Sequence, residues 1–233
     1  MEFRLLRADE IECRISNCNQ WGVGILLYKD ARCDQNILDE TVGAMNWQRH
    51  HSRDNANCIV SIWDAEKAQW IEKEDTGKES FSEAEKGLAS DSFKRACFNW
   101  GIGRELYTAP NMFVLTKDLK TFEQQGTKWT CKDNFVVTAI DYADKKITYV
   151  KILNTKTNKE IEFGMPAKEK REQENIENMF ISEVKVKALI ERCKNDGVPG
   201  EKILKLYKVS RFEELTEKKF ANINTHWEDI KKA

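Results

Sequence analysis

The chain has 233 residues, with 38 lysines and arginines against 39 aspartates and glutamates and a formal net charge of −1 at pH 7. That balance excludes a globally basic nucleic-acid binder, so any site for a polyanion must be a local cluster. The length allows one sizeable domain, or a domain with a small appendage, and a 40% hydrophobic content is enough to build its core.

In chain order, residues 23–28 form an apolar run after Trp21-Gly22 that reads as a buried strand. Residues 36–45 space Ile37, Leu38, Val42 and Met45 at helical intervals. Three strand-like stretches follow at 47–52, 58–63 and 69–75, with a turn over 64–67 between the last two. In the second of them, Cys58, Val60 and Ile62 alternate with polar neighbours.

Residues 82–107, SEAEKGLASDSFKRACFNWGIGRELY, are the most informative segment. Ser82 followed by Glu85 is a capping box, which starts a helix near Glu83, and Gly101 and Gly103 stop it. At 100° per residue, Ala89, Phe93, Ala96, Cys97 and Trp100 share one side, while Asp91, Lys94 and Arg95 lie roughly opposite. Such a helix packs into a core and presents adjacent cations outward, one way to hold a phosphate backbone. Taken alone, a Lys-Arg pair is equally a solvated helix face.

After Pro110, residues 135–140 and 146–153 flank 141–145 as a hairpin, and 159–163 adds a third strand. Residues 167–178, AKEKREQENIEN, read as a solvated linker or an exposed helix. Ser182 caps a helical region whose apolar stripe opens with Val184, Ala188 and Leu189 and continues through Ile203, Leu204, Tyr207, Phe212, Leu215, Phe220 and Trp227. This predicts a three-helix tail module. The expected division is 1–120 for the core, 121–166 for a β-rich extension, 167–181 for a charged linker and 182–233 for the helical module. The expected fold class is α+β: an antiparallel β-β-β-α core with the helix packed on the sheet, a β-hairpin extension and a small C-terminal helical module.

Seven scattered cysteines without a CxxC pair, and three histidines in no zinc spacing, predict reduced thiols and neither a metal site nor a cofactor. The opening MEFRLLRADEIECR lacks the apolar core of a signal peptide, and no run approaches membrane-spanning length. A soluble intracellular protein with no membrane partner is expected. GIG at 101–103 follows a helix rather than a strand and is read as a helix stop, not a dinucleotide fingerprint. Glu72-Lys73-Glu74 has the wrong alternation for a metal-dependent nuclease, because Lys73 and its neighbours point to opposite faces.

The segment 85–107 resembles the Rad52-type single-strand annealing proteins, particularly their bacteriophage and prophage members. The similarity rests on Glu85-Lys86, on Ser90-Asp91-Ser92-Phe93-Lys94-Arg95-Ala96 and on Gly101. Upstream, Arg32, Leu38, Glu40, Gly43 and Trp47 follow in similar order, as does Glu74-Asp75-Thr76-Gly77. The resemblance spans roughly residues 20–115.

It implies a homo-oligomeric ring that binds single-stranded DNA in a basic groove, backbone inward, and anneals complementary strands without ATP in recombination and double-strand break repair. It further implies a DNA-binding protein of the bacterial host cytoplasm that is no enzyme, and the chain has no GxxxxGK[ST] phosphate loop. The implied DNA contacts are Lys94 and Arg95, with Lys86, Arg49, Arg32 and Arg104 behind them. Where the family pattern places a further arginine, this chain has Phe98. The tail module is either an oligomer-stabilising cap or a dock for a single-stranded-DNA-binding protein. Two other readings stand beside annealing: a protector that binds single strands without annealing them, and an adaptor whose Lys94-Arg95 face meets an acidic protein.

Overall fold

The structure is a computed structural model that describes residues 1–78 and 84–232. It divides into two compact units, Met1–Ala167 and Lys168–Ala233.

The first unit opens with the antiparallel pair β1 (Glu12–Asn19) and β2 (Gly22–Tyr28), followed by helix α1 (Ala31–Val42). Strands β3 (Trp47–Ser52), β4 (Asn57–Asp64) and β5 (Gln69–Thr76) form a three-stranded antiparallel sheet in chain order. Helix α2 (Ala84–Trp100) follows and packs on β4 and β5. A 3-10 turn over Arg104–Thr108 leads to β6 (Met112–Leu115), then to the small hairpin β7 (Glu123–Gln125) and β8 (Lys128–Thr130). Strands β9 (Phe135–Ala143), β10 (Lys146–Asn154) and β11 (Lys159–Gly164) complete a six-stranded antiparallel sheet in the order β11-β10-β9-β1-β2-β6. The α+β class and the β-β-β-α core agree with the sequence reading.

Packing follows the periodicities. Cys58, Val60 and Ile62 of β4 are fully or nearly fully buried, as are Phe93, Ala96 and Cys97 of α2. Burial of Phe93 alone contributes roughly 1.5–3 kcal/mol. Trp47 stacks on Phe93 with ring centroids 6.1 Å apart. The end of α2 is fastened to the sheet by Trp100 Nε1, which donates to the Val60 carbonyl at 3.0 Å, and by Lys73, whose ammonium lies 4.4 Å from the Trp100 ring centroid. Gly77 lets β5 run close under the helix: a Cβ there would lie 2.6 Å from the Ser92 nitrogen and 2.8 Å from the Leu88 carbonyl oxygen. The capping box of Ser82 and Glu85 lies outside the described residues.

Strands β1, β6, β7 and β8 are not anticipated by the apolar pattern. β1 is polar at most positions, yet it lies inside the sheet, paired with both β2 and β9. Helix α1 begins before its apolar spacing, because the Asp30 side chain accepts hydrogen bonds from the Arg32 and Cys33 amides. It stops at Gly43, which takes φ +85°.

Lys29, just after β2, and Asp34, in the first turn of α1, form an ion pair with 4% and 0% side-chain exposure. Burial pushes the Asp34 carboxyl up to about 6. The Lys29 stem lies against Gly103, where φ is +78° and a Cβ would come within 2.2 Å of the lysine Cε.

In the second unit, the charged segment read as a linker or exposed helix is helix α3 (Ala167–Asn178), with no buried residue. Glu177 anchors its last turn to Lys218 at 3.0 Å. Four further helices follow, α4 (Glu183–Asn195), α5 (Gly200–Tyr207), α6 (Glu217–Thr225) and α7 (Trp227–Lys232), one more than the tail reading. The stripe of α4 is Val186, Leu189 and Cys193, whereas Val184 and Ala188 face solvent. The difference is one of register: behind the Ser182 cap, Val186, Leu189 and Cys193 join the buried cluster of this unit, which leaves Val184 outward. Ile203, Leu215, Ile223 and Trp227 fill the centre, and Trp227 Nε1 donates to Asp196 at 2.6 Å.

Asp34→Ala leaves the Lys29 ammonium buried without its carboxylate and is expected to cost about 3–5 kcal/mol of stability. Urea unfolding followed by tryptophan fluorescence measures it; a loss below about 1 kcal/mol contradicts a dry, paired site.

Candidate nucleic-acid interface

With Phe93, Ala96 and Cys97 pinned inward, the helical period sends Asp91, Lys94, Arg95 and Phe98 to the opposite side of α2. Across from them lies the outer face of the β1–β2 pair, where Glu12 stands opposite Tyr28 and Arg14 opposite Leu26. The 3-10 turn closes one end with Leu106 and Tyr107. The result is an open groove of about 270 Å³. Its lining carries four cations, Arg14, Lys29, Lys94 and Arg95, and one carboxylate, Asp91. Lys29 is neutralised by Asp34 beneath. A chain of almost zero net charge therefore has a local excess of positive charge on one concave surface.

Arg95 is held by Asp91 one turn earlier, Nε to Oδ2 at 3.0 Å, and that hydrogen bond raises the arginine above its ordinary pKa. The same carboxylate oxygen accepts the Lys78 amide at 2.8 Å, which fixes Asp91 in turn. Tyr28 donates to Glu12, and this contact pushes the phenol up to about 12. At the position of the expected further arginine, the Phe98 ring meets Tyr107 edge to face, with centroids 4.9 Å apart and an interplanar angle of 71°.

The structure brings Lys94 and Arg95 together and places the other named residues elsewhere. Lys86 lies in the first turn of α2, and its side chain falls outside what is described. Arg104 is folded back onto α2, donating to the Phe98 carbonyl at 2.7 Å and the Asn99 carbonyl at 2.9 Å. It adds a further donor to carbonyls at the helix end that also accept from the Gly101 amide and the Lys73 ammonium. Arg32 pairs at 2.7 Å with Asp30, the cap of α1. Arg49 sits 4.8 Å over the buried Phe93 ring, and His51 approaches the Ser92 hydroxyl at 3.4 Å. Arg53 lies past the end of β3 with φ +51°.

Sequence reasoning missed Arg14 and Tyr107. Arg14 could have been found only by recognising β1 as a strand and placing Glu12 and Arg14 on one face of it. Among the described residues, no cluster of histidine, cysteine, aspartate or glutamate could hold a metal ion, and no helix is long and apolar enough to cross a membrane.

Residues 34–125 match the family model described as Rad52/22 family double-strand break repair protein. The match spans less than half of the chain, supports the Rad52-type resemblance and connects this segment with DNA recombination and repair. It takes in α1, the three-stranded sheet, α2 and the turn with Tyr107, but not the β1–β2 wall. No curated protein and no solved structure matches the chain.

Arg104→Ala is expected to lower stability by about 1 kcal/mol through loss of the two carbonyl contacts. Arg104→Lys cannot fork across both carbonyls and should recover less than half of the loss in thermal unfolding. Full recovery by lysine would mean that charge alone matters at this position.

Proposed function

We propose that this chain, Rad52-like over residues 34–125, binds single-stranded DNA in the groove between α2 and the β1–β2 pair and anneals complementary strands without ATP. The observation that carries the reading is the adjacency of Lys94 and Arg95 on a helix face fixed by its buried side, with Arg14 on the facing wall. Annealing requires strands held by their phosphates while base edges stay free to pair. Lysine and arginine provide that hold by releasing counterions, without reading sequence.

Three cations per protomer hold a strand weakly. Copies of the chain in a ring repeat the contact along the strand and raise the total affinity through effective concentration. The activity is binding and pairing, with no bond hydrolysed. The unit 168–233 serves as a dock for a single-stranded-DNA-binding protein; the exposed apolar side chains Met179, Phe180 and Val184 support that role.

Strand pairing of melted complementary oligonucleotides without ATP tests the reading. The wild type should accelerate pairing, and Lys94→Ala combined with Arg95→Ala should abolish the acceleration while the protein stays folded. For single strands, the same double substitution should flatten the slope of log affinity against log salt by about 1.4 for each protomer engaged. A wild type that binds but slows pairing is a protector, and one with no salt-dependent DNA binding is an adaptor for another partner.

A further inference from the structure

The groove contains more than a phosphate clamp needs. Tyr107 is 81% exposed, the second most exposed large hydrophobic side chain after Met45 among the described residues. It is nevertheless held in place, because the Phe98 ring sits edge to face against it. Across the groove, Leu26 of β2 is 46% exposed, and Leu106 adjoins the tyrosine. These apolar surfaces are interleaved with Arg14, Lys94 and Arg95. A surface built only to neutralise phosphates has no use for an exposed, oriented ring. One that takes a single strand does, since every base offers a face for stacking.

We infer that Tyr107, held edge to face by Phe98, is a base-stacking platform within the groove. The groove then takes single strands in preference to duplex, with one base face stacked on the ring at each protomer and its pairing edge left free. This rests on the groove being the DNA site. A duplex buries its base faces in its own stack and cannot use the ring; a single strand can.

The test compares an oligothymidylate with an abasic strand of equal length and charge, at fixed salt, by fluorescence anisotropy. The proteins are the full chain as wild type, Tyr107→Ala, Tyr107→Phe and the Lys94→Ala/Arg95→Ala double variant. The wild type should bind the base-bearing strand roughly fivefold to a hundredfold more tightly than the abasic one. Tyr107→Ala should lose that preference while keeping its affinity for the abasic strand, and Tyr107→Phe should keep most of the preference. Circular dichroism checks the fold, which truncation of so exposed a side chain should not disturb.

Equal wild-type affinity for the two strands overturns the platform, as does an equal loss on both in Tyr107→Ala. If Tyr107→Ala leaves both affinities intact but disrupts self-association, the ring is a protein contact and the proposal falls. Loss of binding to both strands in the double variant keeps the groove as the DNA site in each of those cases. If the double variant binds both strands as the wild type does, the site itself is misplaced, and the platform falls with it.

Discussion

The burial of one face of α2 against the β3-β4-β5 sheet governs the rest of the first unit. Phe93, Ala96 and Cys97 have no exposed surface, so the helix has no freedom to turn about its axis. At 100° per residue that single constraint decides where Lys94 and Arg95 point. Gly77 permits the close approach of strand and helix, and the contacts of Trp100 with Val60 and Lys73 fasten the far end. The cations are thus placed before any ligand arrives, and little ordering is left for the binding step.

The Lys29–Asp34 pair provides the second fixed point. Lys29 continues from β2, Asp34 belongs to α1, and the lysine stem rests on Gly103 in the turn after α2. Both walls of the groove, together with the turn that carries Tyr107, are therefore referred to one buried contact. Buried ion pairs contribute little net stability compared with apolar packing of equal volume, but removing one partner is severe. Their value lies in geometry, and here the geometry is the width of the groove.

How much of this could be read from the sequence depended on where the physical signal was local. Strand β4 announced itself, because burial on one face imposes a period of two on Cys58, Val60 and Ile62. The two faces of α2 were legible for the same reason at the helical period. β1 was not: ECRISNCN carries few apolar residues, and its place in the sheet comes from backbone pairing with β2 and, at Glu12, with Val136 of β9 far along the chain. Arg14 was hidden with it. Arg104 looked like another surface cation, and only the folded chain shows the two carbonyls it serves. In α4, Val184 and Val186 are both apolar and two residues apart; which of them faces inward was set by packing in the cluster with Ile203, Leu215 and Ile223, not by composition.

The Asp91–Arg95 pair has a consequence for anion exchange beyond its role in positioning. Asp91 bonds the guanidinium through Nε alone, so an incoming anion can take the Nη groups while the carboxylate keeps its hold. The arginine is 41% exposed, so it stays hydrated while one anion is exchanged for another and need not turn to meet either.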